Sequence, residues 1–209
     1  MLTRRTVLAG LPLAALGACA GEKVYAPDAQ VQQAAVSGSG TPAVTLYTMR
    51  DTGNGSGAHT ALVIDASQRV LWDPAGSFSH DSIPERNDLL FGITPLIEEY
   101  WVSYHARATF YVVGRRKLVS PQTAERLLND FKAAGPVGKA NCTRVTSAVL
   151  RQVPEFESLP ATWFPVTLDT AFSKLPGVET ETYREGDEDD KRVALMRLDS
   201  EIRTAALRR

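Results

Sequence analysis

Between residues 44 and 72 the chain carries three short β-favouring runs, each set off by a turn, and this spacing constrains the fold more than any other feature. Val44-Thr-Leu-Tyr-Thr-Met alternates, Asp51-Thr-Gly-Asn-Gly-Ser-Gly interrupts it, and His59-Thr-Ala-Leu-Val-Ile resumes; Asp65-Ala-Ser-Gln then turns the chain into Arg69-Val-Leu-Trp. Strands joined this closely pair antiparallel, because a parallel return needs a crossover of about a dozen residues. A further strand is predicted over 108–113.

Helical signals follow the strands. Ser120 reads as an N-cap with Pro121 in the first turn, and Ala124, Leu127, Leu128 and Phe131 mark one apolar side before Gly135-Pro136 stops the helix. A second helix opens near Asn141-Cys142, with Asn141 as cap, and ends before Pro154. Its stripe of Val145, Val149 and Val153 turns the cysteine end toward the sheet. A short helix near 95–100 and a loop or helix over 163–175 complete a single α+β domain, predicted over 42–178. Beyond it, residues 179–209 read as an acidic linker and an amphipathic helix. The run Glu185-Gly-Asp-Glu-Asp-Asp190 lacks calcium-loop spacing, and Leu195, Leu198 and Ile202 recur at helical intervals. At 209 residues, 44% hydrophobic and net charge -1, the chain is not collagen-like, disordered or a multi-pass membrane protein, and it carries no basic footprint for nucleic acid.

The first residues read as an address. Arg4 and Arg5 precede an apolar run, Val7 to Ala18, that is too short to span a bilayer needing about 20 apolar residues. Leu16-Gly17-Ala18-Cys19 resembles the bacterial lipobox, which implies cleavage after residue 18 and acylation of Cys19; the arginine pair also partly resembles a twin-arginine signal. Ala20, in place of Asp, implies the outer membrane, facing the periplasm, by resemblance to Gram-negative sorting rules. Residues 19–41, with Gln-rich and Ser-Gly stretches, are then expected to be a flexible tether.

Acylation of Cys19 would leave Cys142 as the only thiol. A helix N-terminus favours thiolate over thiol, and a thiolate becomes a nucleophile when a base lies within reach. His59, opening a strand after a glycine-rich loop, is the candidate base. Asp73, one hairpin later, is placed to approach it and to orient the imidazole. Among the remaining residues, His80 is a weak candidate for a metal site with His59, and His105 reads as structural or surface. Arg115-Arg116-Lys117 reads as a solvated strand end, and Trp72, Trp101 and Trp163 as core.

A strand-opening histidine, a polar residue on the neighbouring strand and a helix-opening cysteine resemble the papain-like thiol enzymes. The order His59, Asp73, Cys142 is similar to their circularly permuted branch, which includes the lecithin:retinol acyltransferase family, rather than to the usual order in NlpC-type cell-wall peptidases. The chain departs from that acyltransferase family in having Thr143-Arg144-Val145 after the cysteine and Asp73 where histidine is common. The resemblance implies an antiparallel sheet packed on a nucleophile-bearing helix, and acyl transfer through a thioester on Cys142, with no metal or nucleotide cofactor. The expected function is a membrane-anchored envelope cysteine hydrolase or acyltransferase acting on peptidoglycan peptide or a lipid-linked acyl group. A non-catalytic envelope lipoprotein that binds a partner is the competing class.

Overall fold

The computed structural model describes residue 21 and residues 23–207; the expected signal peptide and Cys19 lie outside them. Among the described residues no helix is long and apolar enough to cross a membrane. The sheet has seven antiparallel strands. In chain order these are β1 (Ala43–Asp51), β2 (Gly57–Asp65), β3 (Arg69–Trp72), β4 (Glu85–Arg86), β5 (Leu89–Phe91), β6 (Phe110–Leu118) and β7 (Val178–Tyr183). Across the sheet they run β4-β5-β3-β2-β1-β6-β7, so the longest strands lie toward the middle.

The side-chain period of two divides the core between the two faces. On one face Val44, Leu46, Leu62, Ile64 and Trp72 pack against helices α3 (Pro121–Ala133), α4 (Cys142–Leu150) and α5 (Pro165–Phe172). On the other, Tyr47, Met49, Ala61, Val63 and Leu71 pack against α2 (Pro95–His105) and α6 (Lys191–Leu207). The result is α+β in three layers, helix, sheet, helix. Ser120 caps α3 by accepting from Thr123 N–H, with Pro121 in the first turn, as its sequence predicts.

Several expectations are corrected. The stretch read as a tether forms helix α1 (Asp28–Ala34), buries Val31 in the core, and bonds to the sheet rim through Ala26 N–H to Glu85 O and Arg69 N–H to Val36 O. Its sparse apolar content misled, because one valine and a few backbone bonds suffice to dock it. The predicted boundary at 178 falls at the start of β7, whose ladder runs from Val112↔Tyr183 to Lys117↔Val178. The acidic run is an irregular link between β7 and α6 with no buried residue, and it is pinned to the domain: Asp187 pairs with Arg107 at 3.2 Å, Asp187 O accepts from Ala108 N–H, and Asp189 accepts from Thr109 N–H. Arg115 is no free strand end, since its Nε lies 2.8 Å from the buried carboxylate of Asp169. Trp72 and Trp101 are fully buried, whereas Trp163 is 56% exposed with Arg144 over its ring.

Candidate active site

Strand β3 ends one residue before Asp73 because Pro74 has no N–H to continue the ladder. The pairing of β2 with β3 therefore covers only Leu62 to Asp65, and the earlier part of β2, with His59 and Thr60, has no strand on that side. The start of α4 fills the gap. Thr60 Oγ1 lies 2.9 Å from Thr143 Oγ1, and the Thr60 N–H is near enough to the Cys142 sulfur to lower its pKa. Trp72 Nε1 donates to Thr146 Oγ1 at 3.0 Å and fixes the same helix further along.

His59, Asp73 and Cys142 come together at this gap. His59 Nε2 is 2.6 Å from Asp73 Oδ1, and Cys142 stands close enough to the ring for each group to shift the other's pKa. Because Nε2 is taken by the carboxylate, Nδ1 is the nitrogen left for the thiol. The second carboxylate oxygen of Asp73 accepts from Trp101 Nε1 at 3.2 Å, so the group cannot rotate away from the imidazole without losing that bond. Gly76 completes the enclosure: a Cβ there would stand 2.2 Å from Asp73 Oδ2, and only glycine leaves room for the carboxylate.

The electrostatics favour separated charge. Burial opposes a charged imidazole, yet the hydrogen bonds to Asp73 and Cys142 and the nearby negative charge push the His59 pKa up to about 10. Burial likewise raises the Cys142 thiol, but the His59 hydrogen bond and charge, the Thr60 N–H and the Thr143 hydroxyl bring it down to about 7. For Asp73, burial raises and the bonds to His59 and Trp101 lower, with a net fall below the ordinary carboxylate value. At neutral pH the imidazole is protonated beside the ionised Asp73, and Cys142 is about half thiolate.

Two neighbours of the site escaped the sequence reading. His105 is buried, stacks on His59 with ring centroids 6.0 Å apart, and lies 2.8 Å through Nδ1 from the carbonyl of Trp101. Burial pushes its pKa down to about 4, so it stays neutral beside the imidazolium. Trp101 was expected only as core and also serves Asp73. The spacing of Trp101 and His105 at i, i+4 on one helix was the available signal, since it places both on the face that meets His59. Asn141 occupies the cap position of α4 as predicted, but its side chain does not cap: Oδ1 accepts from Arg144 Nε at 2.8 Å instead. Among the described residues, no side chain therefore caps the first-turn amides beside the thiol. His80 is not drawn to His59; it contacts Ser82 and Asp199 of α6.

Beside Asn141 a cleft of about 780 Å³ opens, walled by the 75–79 loop, Asp88 and residues 137–139. Its size suits a small-molecule or peptide segment. Comparisons with protein-family models, curated proteins and solved structures find no match to the chain.

Proposed function

We propose that the protein is a papain-like thiol hydrolase or acyltransferase of the circularly permuted arrangement, with Cys142 as nucleophile, His59 as base and Asp73 as orienting group. One observation carries this reading: His59 is hydrogen-bonded to the buried carboxylate of Asp73 and neighbours the only described thiol, Cys142, at the start of helix α4. The thiolate attacks the carbonyl carbon of an amide or ester, and the first-turn amides of α4 receive the developing oxyanion. His59 then gives its proton to the departing nitrogen or oxygen, leaving a thioester on Cys142. Water or another acceptor, deprotonated by His59, attacks the thioester and releases the acyl group, and the proton returns to the Cys142–His59 pair. The neutral His105 face and the Trp101 bond keep Asp73 committed to this imidazole. The lipobox-like segment supports an envelope location and hence a substrate there, peptidoglycan peptide or a lipid-linked acyl group.

The test is alkylation of Cys142 by iodoacetamide as pH varies, in the full chain carrying Cys19→Ser so that one thiol remains. Reaction should be half-maximal near pH 7, and His59→Ala should move the midpoint toward the free-cysteine value of about 8.5. A thiol that is silent until denaturation, or that titrates as free cysteine whatever stands at 59, overturns the reading in favour of a binding module.

A further inference from the structure

The hairpin of β4 and β5 is closed by Asn87-Asp88, with φ of 48° and 67°. Two positive values in a two-residue loop define the turn that matches strand twist, and glycine is the residue most at ease in its second position. Here that position holds an aspartate, whose Cβ makes the left-handed backbone unfavourable. Its side chain explains the choice. One Asp88 oxygen accepts from Ala75 N–H at 3.0 Å and the other from Val137 N–H at 2.6 Å, while its carbonyl accepts from Asp73 N–H at 2.9 Å.

These acceptors join two loops that are far apart in sequence. Ala75 follows Asp73 by two residues, and Val137 begins the segment that delivers Asn141 and Cys142. Both loops contain a left-handed residue of their own, Ala75 at 55° and Ala140 at 62°. Such conformations persist only where the surroundings over-determine them, and they gather at sites whose geometry has to be held. Among the described residues, every non-glycine with positive φ lies on one of the three segments that meet at Asp88.

We infer that Asp88 is a positioning residue, which clamps the loop carrying Asp73 to the loop delivering Cys142 and so sets their separation across His59. This rests on the reading of His59, Asp73 and Cys142 as a catalytic set. Asp88 lies near Asp73, His59 and Glu85. Loosening the clamp pulls Cys142 from the imidazolium and raises the thiol midpoint.

Asp88→Gly suits the test, because Asn-Gly is the preferred pair for this turn and the hairpin should fold as well without the carboxylate. Alkylation of Cys142 in the Cys19→Ser chain is followed from pH 5 to 10 alongside thermal unfolding, with Asp88→Asn and His59→Ala in parallel. Both Asp88 variants should keep a cooperative melt and raise the thiol midpoint by about one unit, a five- to tenfold slower reaction at pH 6.5. An unchanged or lowered midpoint in both variants, with His59→Ala still raising it, overturns the clamp and leaves the catalytic set standing. A wild-type thiol that titrates as free cysteine, indifferent to residue 59, overturns both. If Asp88→Gly fails to fold, the role of Asp88 is in the fold itself unless folded Asp88→Asn shows the raised midpoint.

Discussion

Two of the buried aspartates among the described residues are held in opposite ways. Asp169, on α5, is fully buried against two arginines: Arg115, 2.8 Å away through Nε, and Arg50, which reaches it from β1. Asp73, at the end of β3, is 4% exposed and faces one histidine and one indole N–H. A guanidinium does not give up its proton under working conditions, so the first site can only hold a helix to a sheet. An imidazole does, and beside the second site stands a thiol. The same carboxylate burial thus supports architecture in one place and proton transfer in the other, and the difference lies in the partner.

Breaking the arginine site should produce the larger loss of stability. Asp169→Ala leaves two guanidinium groups facing a buried hole and should cost about 3–5 kcal/mol, read as a lower urea midpoint. The thiol midpoint of whatever fraction remains folded should stay near 7. A change in thiol titration without loss of stability would abolish the distinction between the two carboxylates.

Asp73→Asn should do the reverse. The amide still fits between His59 and Trp101, so the loss of stability should be nearer 1–3 kcal/mol, while the thiol midpoint rises because the imidazolium loses its counter-charge. The pH dependence sharpens the contrast. His59, raised from its ordinary 6.5 to about 10, contributes stability that is fully present below pH 6.5 and is lost as pH climbs through about 10. Denaturation of the wild type between pH 8 and 10.5 should show this loss, and Asp73→Asn should flatten it. Turnover, once a substrate is in hand, should rise as pH passes about 7 and fall near 10, where His59 no longer protonates the leaving group.

Much of this arrangement is legible in the sequence because local rules govern it. The three strands from Val44 to Trp72, the Ser120-Pro121 helix start and the helix opening at Cys142 all carry short-range signals of alternation, turn or cap. The approach of His59 to Asp73 followed from a single tight turn. What stayed hidden depends on residues far apart in the chain. Strand β7, Val-Glu-Thr-Glu-Thr-Tyr, is mostly exposed and has no apolar alternation; its pairing with β6 makes it a strand. Asp169 looks like any helical aspartate until Arg50 and Arg115 arrive from two other strands. Asn87-Asp88 reads as an ordinary turn, and only the folded chain shows the loops that its carboxylate joins. The N-terminal segment was misjudged for the same reason, since Val31 is isolated in sequence and finds its apolar neighbours only across the sheet.

The smallest expected effect isolates the indole bond. Trp101→Phe keeps most of the buried ring volume on α2 but removes the N–H that holds Asp73 Oδ2 at 3.2 Å. A neutral donor to a carboxylate contributes about 1 kcal/mol net, so unfolding should shift only modestly. The freed oxygen loses a partner that favours the charged form, and the Asp73 pKa should rise toward its ordinary value. With less negative charge fixed on Nε2, the imidazolium weakens and the Cys142 midpoint should climb by a fraction of a unit, less than in Asp73→Asn. A midpoint that does not move would confine Trp101 to packing and leave His59 as the sole side chain that orients Asp73. A shift as large as that of Asp73→Asn would mean that the indole bond, rather than the imidazole, decides where the carboxylate points.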